Sequence, residues 1–296
     1  MNKKETNQLA VFWGCLIPLR LPWIEVAARK VLPKLGFEIV DLSFSCCPDP
    51  IASKALDHKL WLSLAARNLT VAEKAGLDIL TLCNGCFETL KMAQVELENP
   101  EIREDVNRIL KKSNRNYQGN SKVYHFQEWL YETVGLNNLE QMVNHSINLK
   151  AAVHVGCHYT RPAEVMQTDN PVYPEQLDEL CEVIGIESVE YPDKNLCCGV
   201  GVGLTDRKIA TDLIERKING LRAAGAEAIV AHCPSCIQSY DFGQFNLNRS
   251  KKLKQVVPVL HYLELLGLSM GMEINTFAFA EHRISILPAK IKQWFS

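Results

Sequence analysis

The sequence holds eleven cysteines in 296 residues, and ten of them fall into two equal sets. The first is Cys15, the adjacent pair Cys46 and Cys47, and Cys83 with Cys86 in "CNGC". The second is Cys157, the pair Cys197 and Cys198, and Cys233 with Cys236 in "CPSC". Both sets run C…CC…CxxC, with gaps of roughly 30 to 40 residues. In a reducing compartment such richness points to metal or redox chemistry rather than a disulfide framework. One tetrahedral zinc needs four ligands, so a set of five leaves one over, and adjacent cysteines reach one small ion poorly. A vicinal disulfide would be strained and would leave the CxxC unexplained. A thioredoxin-like dithiol calls for an aromatic and glycine context that neither CxxC has. An iron–sulfur cluster contains several irons, so adjacent cysteines can reach different ones and a fifth thiolate has a place. The residues favour iron–sulfur and leave zinc and dithiol redox chemistry open.

Other groups near the cysteines are weaker candidates. His154, His158 and His232 flank cluster cysteines and read either as structural histidines or as proton donors and outer-shell groups. Arg20 and Arg161 follow the first cysteine of each set at similar distances; solvated arginine is the default, with a sulfonate or phosphate partner as the alternative. Cys181 lies in "EQLDELCEVIGI", a helical pattern, and reads as a buried structural thiol. The glycines of "LCCGVGVGL" do not form G-x-G-x-x-G, because Leu204 stands where the third would be, and no apolar strand precedes them. They read as a cluster-binding loop that lets the backbone approach closely and aims N–H groups at cluster sulfides.

The elements that carry these residues repeat as the residues do. "AVFWGCLIPLRLP" answers "AAVHVGCHYTRPAEV", and "AGLDILTLCNGC" answers "AGAEAIVAHCPSC". "VYHFQEWL" answers "VLHYLELL", pairing His125 and Glu128 with His261 and Glu264; both histidines read as structural, opening helices. Self-similarity over this span marks an internal duplication. Short apolar runs ("LAVFWG", "FEIVDL", "DILTL", "AAVHVG", "AIVAH") read as buried strands, separated by helical stretches such as 22–36, 59–76 and 204–225. That alternation predicts an α/β fold of two duplicated Rossmann-like halves with parallel sheets, related by a pseudo-twofold axis. The halves are expected to be residues 1–145 and 146–296, as separate folding units, with 111–122 a surface loop. Cys15, Cys83, Cys157 and Cys233 would then each follow a strand, on the rim where open α/β sheets gather their sites.

Composition adds exclusions. Hydrophobic residues make up 47% and charged residues 22%, and the net charge is −2, so nothing marks a nucleic-acid or membrane surface. No apolar run approaches the roughly 20 residues of a bilayer span. The start, "MNKKETNQLAVFWGC", lacks the longer apolar region and small residues of a lipoprotein signal, because Phe12 and Trp13 precede the cysteine. It reads as a buried strand in a cytoplasmic protein.

Two copies of C…CC…CxxC are the signature of the CCG-domain proteins. Over nearly its whole length the chain resembles the heterodisulfide reductase B-subunit family, in "FWGCLIP", "SCCPDP", "WLSLAARNL", "CNGC", "GCHYTRP", "LCCGVG" and "VLHYLELLGLSMGM". The resemblance implies that each half holds a noncubane [4Fe-4S] cluster on its five cysteines, with the two clusters facing each other across a substrate site. It implies reduction of a disulfide, the coenzyme M–coenzyme B heterodisulfide, each cluster supplying one electron and capturing one thiolate on iron. It also implies two further subunits as partners, a ferredoxin-like [4Fe-4S] subunit (the C type) and a flavoprotein subunit (the A type). No ferredoxin-type cysteine run or flavin fingerprint occurs in the chain itself. "CLIPLRLPW" and "CCGVGVGLTD" depart from the family pattern. The alternatives are a related sulfur-metabolism subunit that acts on another thiol, disulfide or persulfide, and an electron-transfer subunit with no substrate of its own.

Overall fold

The computed structural model describes residues 7–253 and 255–295; Lys3 and Lys4 of the N-terminal stretch lie outside them. Eight strands form two sheets. The first contains β1 (Gln8–Phe12), β2 (Glu38–Val40), β3 (Ile79–Thr81) and β4 (Val123–His125). The second contains β5 (Leu149–His154), β6 (Ile186–Ser188), β7 (Ala228–Ala231) and β8 (Val259–His261). Their orders are β2-β1-β3-β4 and β6-β5-β7-β8, one topology used twice. Every pairing is parallel, with Ala10 opposite Ile79 in one sheet and Ala151 opposite Ala228 in the other. The chain is an α/β protein of two duplicated halves. In each sheet the strand order reverses beside the first strand, between β1 and β3 and between β5 and β7, and ligands of open parallel sheets bind outside the strand ends at such a point.

The connecting helices start and stop where local chemistry dictates. His58–Ala75 begins at Asp57, whose carboxylate accepts from the Leu60 N–H, and ends at Gly76 with φ 69°; an acidic N-cap and a left-handed glycine are the usual terminators. Arg207–Ala223 begins at Asp206 in the same way, its carboxylate accepting from Lys208 and Ile209. The first of these helices buries Trp61, Leu62, Ala65, Ala66 and Leu69 on one stripe. In the stretch 111–122, residues Lys111–Ser113 form one 3₁₀ turn. The rest is irregular, pinned by buried Tyr117 and by Glu73, which accepts the N–H groups of Gln118, Gly119 and Asn120.

The halves exchange elements, so each covers a helix of the other. After β8 the helix Tyr262–Ser269, buried along all eight residues, packs on Pro22–Lys34 of the first half. Reciprocally, after β4 the helix Leu136–Met142 packs on Gln176–Val183 of the second half. Pro22–Lys34 and Gln176–Val183 are equivalent, each lying between the first and second strands of its half. The buried residues of both halves accordingly form one continuous core. The sequence repeat marks a duplication, but folding joins the two copies.

Candidate active site

Cys15, Cys83, Cys157 and Cys233 lie just beyond the carboxyl ends of β1, β3, β5 and β7, and the adjacent pairs lie in the loops that follow β2 and β6. Cys15 follows β1 and Cys157 follows β5, each directly after a glycine of positive φ (Gly14 at 67°, Gly156 at 78°). These glycines are sterically required. A Cβ on Gly14 would stand 2.9 Å from Cys86 Sγ, and one on Gly156 would stand 2.9 Å from Asn84 Nδ2 and 3.1 Å from Cys236 Sγ. Cys83 and Cys233 are the N-caps of the helices Asn84–Glu96 and Pro234–Arg249, so both CxxC motifs open a helix after the third strand of their half. A helix N-terminus favours thiolate over thiol.

The thiols form one unbroken line. Cys15 lies against Cys46, Cys46 against Cys47, and Cys47 against Cys86 with Sγ–Sγ 3.0 Å. Cys86 meets Cys83, and Cys83 meets Cys233 of the other half. From there Cys233, Cys236, Cys198, Cys197 and Cys157 continue in sequence. Thiols that receive two such bonds are held as thiolates. Cys47 is pulled well below the ordinary thiol range by Cys46 and then Cys86, and Cys83 by Cys233 and then Cys86. Cys197 is pulled down to about 2 by Cys157 and then Cys198, helped by the Gly199 N–H, which donates to its sulfur at 3.4 Å. Gly199 itself has φ 86°. Among the described residues no three His, Cys, Asp or Glu side chains are grouped to hold a metal ion.

The first set opens into a cavity of about 690 Å³, whose floor is Cys15, Cys46, Cys47, Cys83 and Cys86. Trp13, Leu16, Leu56, Leu60, Trp61 and Leu64 form its walls, and Val200, Ser235 and Gln238 of the second half complete it. Among the described residues its lining includes Asp49 and Asp57 but no lysine or arginine. The second set borders a cavity of about 20 Å³ at Cys157 and Cys197. Five donors in a line, with close-approach glycines beside them, fit a group of several irons better than a single tetrahedral ion.

The other candidates separate. His158 pairs with Glu88, which lies on the first CxxC helix, so the pair bridges the halves. Burial pushes the His158 pKa down, but the Glu88 hydrogen bond and charge outweigh it and the net shift is upward. His232 donates to the Val155 carbonyl, and burial lowers its pKa to about 4. His154 is buried edge-on to Tyr240 with centroids 5.0 Å apart, and burial keeps it neutral. Arg20 is exposed at the end of Leu16–Arg20 and does not line the large cavity. Arg161 borders the small cavity, where its guanidinium donates to the Pro171 carbonyl at 2.7 and 3.1 Å. His125 and His261 each close a capping box, with Glu128 and Glu264 accepting their backbone N–H groups; they are structural. Cys181 is fully buried in Gln176–Val183, outside the line of thiols, and burial raises its pKa.

Three residues not singled out in the sequence are prominent here. Asn84 reaches across the halves to the Val155 carbonyl at 2.8 Å; its place inside a CxxC is the signal that could have found it. Glu88 and Lys217 carry no local signal, because each acts through a partner distant in sequence.

A twice-used parallel sheet with a C…CC…CxxC set at each switch point defines a duplicated cysteine-rich redox domain. Residues 9–91 and 151–239 both match the family of the CCG cysteine-rich domain. The chain is 39% identical over 284 residues to the B subunit of the ferredoxin/F420H2-dependent CoB-CoM heterodisulfide reductase of Methanosarcina acetivorans, covering 94% of each. It is 29% identical to the 8-methylmenaquinol:fumarate reductase membrane anchor subunit of Wolinella succinogenes, covering 90% of this chain and 93% of that one. A crystal structure of a hypothetical protein from Helicobacter pylori superposes with TM-score 0.75 at 16% identity. It covers 96% of this chain, which spans about half (53%) of that one, and it shows likeness of fold. The chain belongs to the heterodisulfide reductase B-subunit family of CCG-domain proteins. Among the described residues no helix is long and apolar enough to cross a membrane.

Proposed function

We propose that this chain is the disulfide-cleaving subunit of a heterodisulfide reductase-like complex. In this reading, noncubane [4Fe-4S] clusters are held by Cys15, Cys46, Cys47, Cys83 and Cys86 and by Cys157, Cys197, Cys198, Cys233 and Cys236. The observation that carries the reading is that the two five-thiol sets lie next to each other, with Cys83 of one interacting with Cys233 of the other. When bound, two one-electron groups side by side would supply the two electrons that a disulfide requires. The chain's own contribution is placement. The glycines beside Cys86 and Cys236 leave room for the sulfurs, the CxxC helices favour thiolates, and the apolar walls near the first set exclude water from a bound substrate. Of the three histidines beside the cysteines, His158, paired with Glu88, is the one whose pKa is raised and which therefore holds a proton most readily.

The best substrate under this reading is the coenzyme M–coenzyme B heterodisulfide, with electrons arriving through a ferredoxin-like [4Fe-4S] partner and a flavoprotein partner, in the cytoplasm. A cavity lining without lysine or arginine favours a second reading, in which an uncharged disulfide is the substrate or the chain only relays electrons. The test is anaerobic purification, iron and zinc analysis, and turnover with the heterodisulfide against simple disulfides, driven by a reduced dye. Brown, iron-loaded protein that cleaves the heterodisulfide faster supports the proposal. Colourless zinc protein ends it, and iron-loaded protein with no disulfide turnover moves it to the electron-relay reading.

A further inference from the structure

Each long crossing helix brings one buried residue behind its cysteine-pair loop, and the two residues differ in charge. Asn68 stands eight residues before Gly76 and Lys217 eight before Gly225, where both helices run into equivalent Ala-Gly pairs. Both side chains are fully buried. Asn68 holds the first loop with neutral groups: its Oδ1 accepts from the Ser45 N–H at 2.9 Å and its Nδ2 donates to the Cys46 carbonyl at 3.3 Å. Lys217 holds the second loop with an ammonium, which donates to the carbonyls of Asp193 (2.9 Å), Lys194 (2.6 Å) and Leu196 (3.4 Å).

A neutral side chain therefore suffices to fasten such a loop, and the charge on Lys217 needs another explanation. Burying an ammonium is costly unless an anion compensates it. Among the described residues the Lys217 contacts are carbonyls and the ring faces of Tyr191 (5.1 Å) and Tyr240 (6.0 Å), with no carboxylate in ion-pair contact. Burial is the largest influence on its pKa and holds it at about 7; the sulfurs of Cys236 and Cys198, then Asp193 and Cys197, act upward without restoring the ordinary lysine value. The first loop also has a cation nearby, since Arg67 donates to Asn68 Oδ1 at 3.3 Å. Arg67, unlike Lys217, is partly exposed, and water screens it.

We propose that Lys217 is a positioning residue for charge: its ammonium makes the second cysteine set easier to reduce than the first. This rests on the reading that both sets hold iron–sulfur groups, whose potentials follow local charge and hydrogen bonding. The sign follows from electrostatics, because a fixed positive charge stabilises the added electron. The two sites are therefore unequal in spite of the shared topology.

The test is an EPR-monitored redox titration of the iron-loaded full chain, with the two signals assigned through Cys47→Ser and Cys198→Ser. Lys217→Met removes the charge at similar length. It should lower the one-electron equilibrium constant of the second site about tenfold, a fall of about 59 mV, and leave the first unmoved. Lys217→Gln, which keeps a donor for the carbonyls, should shift the same signal in the same direction. An unshifted second signal in either iron-replete variant overturns the proposal. Loss of second-site iron in both variants also overturns it, because Lys217 would then be a fastener only. Wild-type protein without iron would instead sink the functional reading beneath it.

Discussion

Asn84, inside the first CxxC, donates to the carbonyl of Val155 at 2.8 Å, and that carbonyl also accepts from His232, the residue before the second CxxC. One buried oxygen on the last turn of chain before Gly156 thus reads the position of both motifs. The bond explains how two sets of thiols, carried by separate sheets, come into contact at Cys83 and Cys233. Asn84→Ala should leave the Val155 carbonyl with one donor and cost about 1–3 kcal/mol. Apparent thermal unfolding of the iron-loaded protein should fall by several degrees. An unchanged midpoint would show that His232 alone sets the register.

The exchanged helices predict that neither half folds alone. Expressed as 1–145 or 146–296, each piece would expose a face that Tyr262–Ser269 or Leu136–Met142 covers in the whole chain. Each large apolar side chain so uncovered forfeits roughly 1.5–3 kcal/mol. The pieces should lack a cooperative unfolding transition by circular dichroism. A cooperative, monomeric half would show that the exchange is dispensable.

Much of this is legible in the sequence, and the gaps have physical causes. The ten cysteines, the strands β1, β3, β5 and β7 and the long crossing helices are visible because ligand spacing and apolar runs are local patterns. β4 and β8 have three residues each, too few for periodicity, although "VYH" and "VLH" stand out as repeats. The helix exchange is invisible because duplication looks the same whether copies fold apart or together. Lys217 is hidden among the charged residues of its helix, since only the fold shows that it is buried with its one-turn neighbours Ile214 and Leu221.

The Gly14 and Gly156 positions give a steric prediction. Alanine at either must adopt a left-handed backbone, at roughly 1–2 kcal/mol, and must also displace a cluster cysteine or Asn84. Gly36, with φ 87° and nothing within 4 Å of an added Cβ, is the control for the backbone term alone. Gly14→Ala and Gly156→Ala should lose bound iron while Gly36→Ala retains it. Equal iron in all three would remove the close-approach argument.

The His158–Glu88 pair predicts a pH dependence. The folded pKa of His158 is raised, so its stabilising contribution is fully present below the ordinary histidine value of about 6.5 and is lost as pH rises through the folded value. Denaturant unfolding of wild type and His158→Gln should therefore differ most at pH 6 and converge toward pH 9. A gap that widens with pH would mean that the pair does not hold a charged imidazole.

The adjacent cysteines carry the last prediction. If each pair spans different irons of one enlarged group, all five thiolates of a set are needed. Cys198→Ser should lower iron from about eight per chain, four for each of two clusters, towards four. Cys47→Ser should mirror it at the first set. Because the halves share one core, both variants should still fold, and circular dichroism must confirm that before the iron is interpreted. Disulfide cleavage should be almost abolished in each, since a single remaining site supplies one electron where two are required. Cys181→Ala is the matched control: its thiol is as buried but stands outside the line, so iron and turnover should stay near wild type. A folded Cys198→Ser variant with full iron and unchanged turnover would show that four cysteines suffice, and that the second thiol of the pair has no ligand role.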